Sequence, residues 1–137
     1  MPFYKSAATL TLRDNGGTFT RTGVPFLLTD GYMVGGLAPT RKLTVARESI
    51  ATIAAELEYF AGENIPADAD GVYLGTWVDE GVLYIDASEW VAEYYEAHEL
   101  AAARGELAIW DNHNKVSLPA LTVCDGCGSA TCNGCPA

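Results

Sequence analysis

The chain has 137 residues, 49% of them hydrophobic, and a formal net charge of −10. That length and apolar content suit one domain with a real core, and a charged content of 19% is too low for wholesale disorder. No apolar run of about 18 residues predicts a membrane span, the opening Met1-Pro2-Phe3-Tyr4-Lys5 is not an apolar signal core, and the excess of carboxylates argues against direct binding to a phosphate backbone.

Ala8-Thr9-Leu10-Thr11-Leu12-Arg13 alternates apolar and polar residues, the pattern of a half-buried strand. Asn15-Gly16-Gly17 signals a turn, and Thr18-Phe19-Thr20-Arg21 follows as a second strand. Pro25 to Thr29 reads as a third strand. Asp30-Gly31 is a short hairpin signal, and Tyr32-Met33-Val34 returns as a fourth strand. Leu43-Thr44-Val45 is a fifth. A helix is predicted from Glu48 to Ala61, where Ile50, Ile53, Ala54, Leu57 and Phe60 recur at helical spacing.

Val72 to Val78 and Val82 to Asp86 form a predicted hairpin around Asp79-Glu80-Gly81. Asp86-Ala87-Ser88-Glu89 has the form of a capping box, and a second helix is predicted from there to Arg104. On it Trp90, Tyr94, Ala97 and Ala101 face inward, while Glu89, Glu93, Glu96 and Glu99 crowd the outer side. Leu107 to Trp110 reads as a strand, Asn112-His113-Asn114 as a turn, and Val116 to Leu118 as a strand pairing back. A faint self-similarity at a period of 40 residues suggests two ββα units. The expected fold is α+β: N-terminal β-hairpins and an antiparallel or mixed sheet with two helices on one face. Residues 1–120 form the expected domain and 121–137 a cysteine-rich tail.

Charge is segregated along the chain. Residues 1–47 sum to +4, residues 48–111 to −14 and residues 112–137 to 0. The middle stretch holds fifteen carboxylates and one base, Arg104. Such a run is either a solvated face or a docking surface for a cationic partner, which would relieve the mutual repulsion. Head-to-tail self-association with the basic first third is a further option. Glu80, Glu89, Glu93, Glu96 and Glu99 are the candidate partner-binding residues.

All four cysteines fall in the last fourteen residues, as Cys124-x-x-Cys127 and Cys132-x-x-Cys135. Each pair suits a chelating turn, and the two together predict a structural zinc site with four thiolate ligands. The four-residue link between the pairs is shorter than in common zinc ribbons. A flexible peptide with reduced thiols, two disulfides in an oxidising compartment, or an iron–sulfur centre lacking a distant fourth ligand are the alternatives.

Nucleotide-binding glycine loops, a nucleophile elbow and a zinc-protease helix motif are all missing from the sequence. Asp111 with His113 is a possible metal or acid–base pair, and Trp77, Trp90 and Trp110 are read as core. These readings lean away from an enzyme.

Tyr73-Leu74-Gly75-Thr76-Trp77-Val78, Leu83-Tyr84-Ile85-Asp86 and Leu107-Ala108-Ile109-Trp110-Asp111 carry a resemblance. The chain resembles small uncharacterised proteins of actinobacterial phages and their hosts, in which a Gly-x-Trp hairpin, an Asp-capped helix and an Ala-Ile-x-Asp strand recur. The resemblance spans roughly residues 71–118, about a third of the chain. It implies a phage or mobile-element accessory protein in the host cytoplasm or the virion. Leu74 to Asp79 is also similar to a stretch of plasmid antirestriction proteins that mimic DNA. The expectation is therefore a non-catalytic protein that binds a basic protein through its acidic face, with DNA mimicry as the specific version; an assembly protein of a phage particle and a small zinc protein are the alternatives.

Overall fold

The computed structural model describes residues 3–120, so the cysteine tail lies outside the described residues. The fold is α+β, with three helices and an antiparallel sheet. The described chain divides into two compact units. One takes the residues up to 27 and Leu37–Ser88; the other takes Leu28–Gly36 and the residues from 89 on.

The first unit begins with helix α1, Tyr4–Asp14, where the alternation had suggested a strand. Its buried residues are Tyr4, Ala7, Ala8 and Thr11, spaced three, four and seven apart, which is one face of a helix and not of a strand. Leu10 and Leu12 are only partly buried. The small Ala7 and Ala8, both fully buried, let helix α2 approach closely. That helix, Ile50–Asn64, is capped by Ser49, whose hydroxyl accepts the Thr52 N–H at 3.1 Å. Ile53, Ala54, Leu57, Phe60 and Ala61 form its buried stripe, while Ile50 stays exposed. A single 3-10 turn, Val45–Arg47, precedes it.

Both helices pack on a sheet made of β1 (Gly16–Phe19), β4 (Val72–Asp79), the first part of β5 (Val82–Val91) and β3 (Arg41–Thr44), in that order. Phe19, Leu43, Leu74, Leu83, Ile85 and Ala87 supply its side of the core. The predicted strand from Pro25 to Thr29 does not form. Pro25 has no N–H to give a ladder, and an isolated bridge to Phe19 is the pairing found there. The expected N-terminal hairpins are thus replaced by a helix and two strands, Gly16–Phe19 and Tyr32–Val34, which do not pair with each other.

In the second unit β2 (Tyr32–Val34) lies between the end of β5 and β6 (Ala108–Asp111), and β6 pairs with β7 (Val116–Pro119). Helix α3, Tyr94–Arg104, covers one face through Ala97 and Ala101, which join Val34, Val91 and Ile109 in a small core. The capping box at Asp86 is not one: β5 continues through it to Val91, because Glu89, Trp90 and Val91 find partners in Val34, Met33 and Tyr32. The helix starts eight residues later than Asp86, at Tyr94. Gly105 ends it with a left-handed backbone, as a helix terminus of this kind requires. Two strands precede a helix twice in chain order, β2 and β3 before α2 and β4 and β5 before α3. The strands of the first set do not pair with each other: β2 pairs with β5 and β6, and β3 with β5.

Candidate functional site

The five candidate glutamates separate into three settings. Glu80 sits in the β4–β5 turn with a left-handed backbone, φ 49°. Glu89 is not on a helix: it points from β5 toward α3 and pairs with the Arg104 guanidinium. Arg104 also donates to the carbonyls of Val34 and Gly35, so the one base of the acidic stretch is committed to structure.

Glu93, Glu96 and Glu99 do gather, on α3. Glu93 caps the helix, its carboxylate accepting the Glu96 N–H at 2.7 Å. Glu96 occupies the first turn, where the helix dipole favours negative charge. Residues three and four apart share a helix face, so Tyr95, Glu96 and Glu99 form an outer stripe opposite the buried Ala97, His98 and Ala101. Tyr95 is 47% exposed. It is held edge-on against Tyr94 at 5.0 Å, and Tyr94 in turn contacts Tyr32 and the His98 ring. A chain of rings thus runs from the core to the surface and emerges among carboxylates. The local field registers at Tyr32, whose phenol pKa is raised by burial first, then by Asp111, Tyr94 and Glu93.

Burial in an apolar setting holds the His98 imidazole below its ordinary pKa. Asp111 serves the hairpin. Its carboxylate accepts the N–H groups of His113 and Asn114 and the Asn114 side-chain amide, closing the β6–β7 turn. The Asn114 and His113 bonds hold its pKa below the usual carboxylate range, and His113 itself is exposed. Among the described residues no three His, Cys, Asp or Glu side chains group as metal ligands. The proposed ligands Cys124, Cys127, Cys132 and Cys135 lie outside those residues.

The tryptophans are missing from both core clusters. Trp77 is 42% and Trp110 is 39% exposed. Trp90 is half-buried, its indole N–H donating to the Asp30 carbonyl at 2.9 Å. Trp90 and Trp110 flank Met33 in register across β5, β2 and β6, on the side of that sheet away from α3. Trp77 stacks on Tyr84 on the side of its sheet away from α1 and α2, with planes within 6°. Alternation alone could have hinted at this, since Leu74 and Thr76 take the inward positions of β4. An open cleft between Arg41 and α2 is crossed by the Arg41–Glu56 ion pair.

Comparison with family models, curated proteins and solved structures gives no match. The Gly-x-Trp stretch is β4 and the Ala-Ile-x-Asp stretch is β6, while Asp86, expected to cap a helix, lies within β5. Among the described residues no helix is long and apolar enough to cross a membrane.

Proposed function

We propose that the protein is a non-catalytic binding protein that engages a basic protein partner through the outer surface of α3. The observation that carries this reading is the stripe of Tyr95, Glu96 and Glu99, an aromatic anchor held by neighbouring rings beside carboxylates. Neither Glu96 nor Glu99 has an ion pair among the described residues. Tyrosines that lose little freedom on binding are favoured interface anchors, and carboxylates with no cation of their own attract a cationic surface and speed encounter. This role agrees with the accessory function that the resemblance to phage proteins implies, DNA mimicry toward a nucleic-acid-binding enzyme included. A zinc clip held by the four cysteines of residues 124–135 belongs to the same reading as a structural adjunct.

The test is capture of host proteins on the immobilised chain, compared with a Tyr95→Ala/Glu96→Gln/Glu99→Gln variant and with a Glu58→Gln/Glu63→Gln control on α2. A retained partner is expected to be basic, to elute as salt rises, and to be lost from the α3 variant alone. Retention that is indifferent to salt and to the α3 substitutions rejects the reading.

A further inference from the structure

On the sheet face of the first unit that carries no helix, one row of side chains crosses the strands. Lys42 on β3 stands opposite Tyr84 on β5, its ammonium 5.6 Å from the ring centroid. β4 flanks β5 on the other side, and from there the Trp77 indole stacks on Tyr84 with centroids 4.9 Å apart. That distance is close to the spacing of neighbouring strands, about 4.8 Å. The row therefore advances one strand per step: ammonium, phenol ring, indole.

The next step falls on β1, where the partner of Trp77 is Gly16. Glycine brings no side chain, and none other fits. The backbone there has φ 143°, and a Cβ would stand 2.5 Å from the Thr76 carbonyl oxygen. One indole face is taken by Tyr84, so the other looks over Gly16 into solvent, in keeping with the 42% exposure of Trp77. Asp79 lies two residues further on the same side of β4 and is exposed, as is Glu80 in the turn. Neither carboxylate has an ion pair among the described residues.

We propose that this open step of the row receives an arginine side chain of a basic partner segment, stacked on the outer indole face above Gly16 and bonded to Asp79. The chain already holds one cation against the same aromatic pair, through Lys42, so the mirror position on Trp77 suits a second. A planar guanidinium matches both an indole face and a carboxylate, and tryptophan is the strongest aromatic partner for a cation. The proposal rests on the reading that the partner is basic, and it concerns a different surface from α3.

The experiment follows the tryptophan indole N–H signals of the full, nitrogen-15-labelled chain by NMR, with the Trp77 signal assigned through Trp77→Phe. A hexa-arginine peptide is titrated in, with the uncharged hexa-citrulline peptide as control. The expected result is a saturable shift of the Trp77 signal with hexa-arginine alone, the Trp90 and Trp110 signals staying in place. Asp79→Asn, an exposed change whose folding the unmoved Trp90 and Trp110 signals verify, is expected to weaken that binding about three- to tenfold. If α3 signals such as the Tyr95 amide respond while Trp77 does not, the arginine site is overturned and the role of α3 stands. If hexa-arginine produces no saturable response at either surface, the arginine site and the basic-partner reading fall together.

Discussion

Two buried hydroxyls show how single side chains join elements. Thr11 on α1 and Thr76 on β4 bond to each other at 2.8 Å, both nearly inaccessible to solvent. Removing one leaves the other short of its buried partner, whereas removing both removes the demand. Thr11→Val or Thr76→Val alone is expected to cost about 1–3 kcal/mol, and the double variant less than the sum of the two; urea unfolding of the four proteins measures this. His98 supplies a pH response. Its pKa in the folded chain lies below the ordinary value of about 6.5, so the unfolded chain binds more protons between those two values. Its contribution to stability is complete above about pH 6.5 and is lost as pH falls from there toward the folded pKa. The urea midpoint is expected to fall between about pH 7.5 and 5.5, and to fall less in His98→Gln. The depressed Asp111 carboxyl acts at lower pH: its contribution is present above the unfolded carboxylate pKa and disappears as pH drops through its folded value.

At the scale of elements, the β4–β5 hairpin turns on Glu80 and Gly81, with φ 49° and 77°. Two successive left-handed residues make the turn that suits twisted strands. Gly81 adopts this freely, but Glu80 does so against the steric preference of a side-chain-bearing residue. Glu80→Asn is expected to raise stability by about 0.5–1 kcal/mol, readable as a higher urea midpoint. This turn was legible because Glu-Gly between two apolar alternations is a local signal. The helical nature of α1 was not legible. Its outward Thr9 and inward Thr11 break the chemical pattern, so Leu10 and Leu12 suggested a strand, while the buried set of Tyr4, Ala7, Ala8 and Thr11 relies on alanines that carry little hydropathy contrast. The end of β5 was not legible. Whether Glu89-Trp90-Val91 extends or coils depends on β2, which lies more than fifty residues away in sequence.

For the whole molecule, charge is the dominant quantity. Eighteen carboxylates face eight basic residues, and the three ion pairs among the described residues engage Asp14, Glu56 and Glu89. Carboxylates in such excess repel one another, so screening relieves the folded state more than the expanded one. The thermal midpoint is expected to rise as sodium chloride increases from about 0.02 to about 0.5 M; a midpoint that falls or stays level would mean the carboxylates are too far apart to repel.

Composition and pattern by themselves determined the α+β class, the helix that became α2, the β4–β5 and β6–β7 hairpins, and the acidic character of the middle of the chain. These rest on local periodicity, turn chemistry and summed charge, which need no knowledge of distant partners. Tertiary structure alone decided that Glu89 answers Arg104 from a strand, that α3 begins only at Tyr94 with Glu93 as its cap, and that Trp77 faces solvent rather than the core. Each of those outcomes depends on which strand or helix comes to lie against the residue, and pairing across long stretches of chain leaves no mark in a short window of sequence.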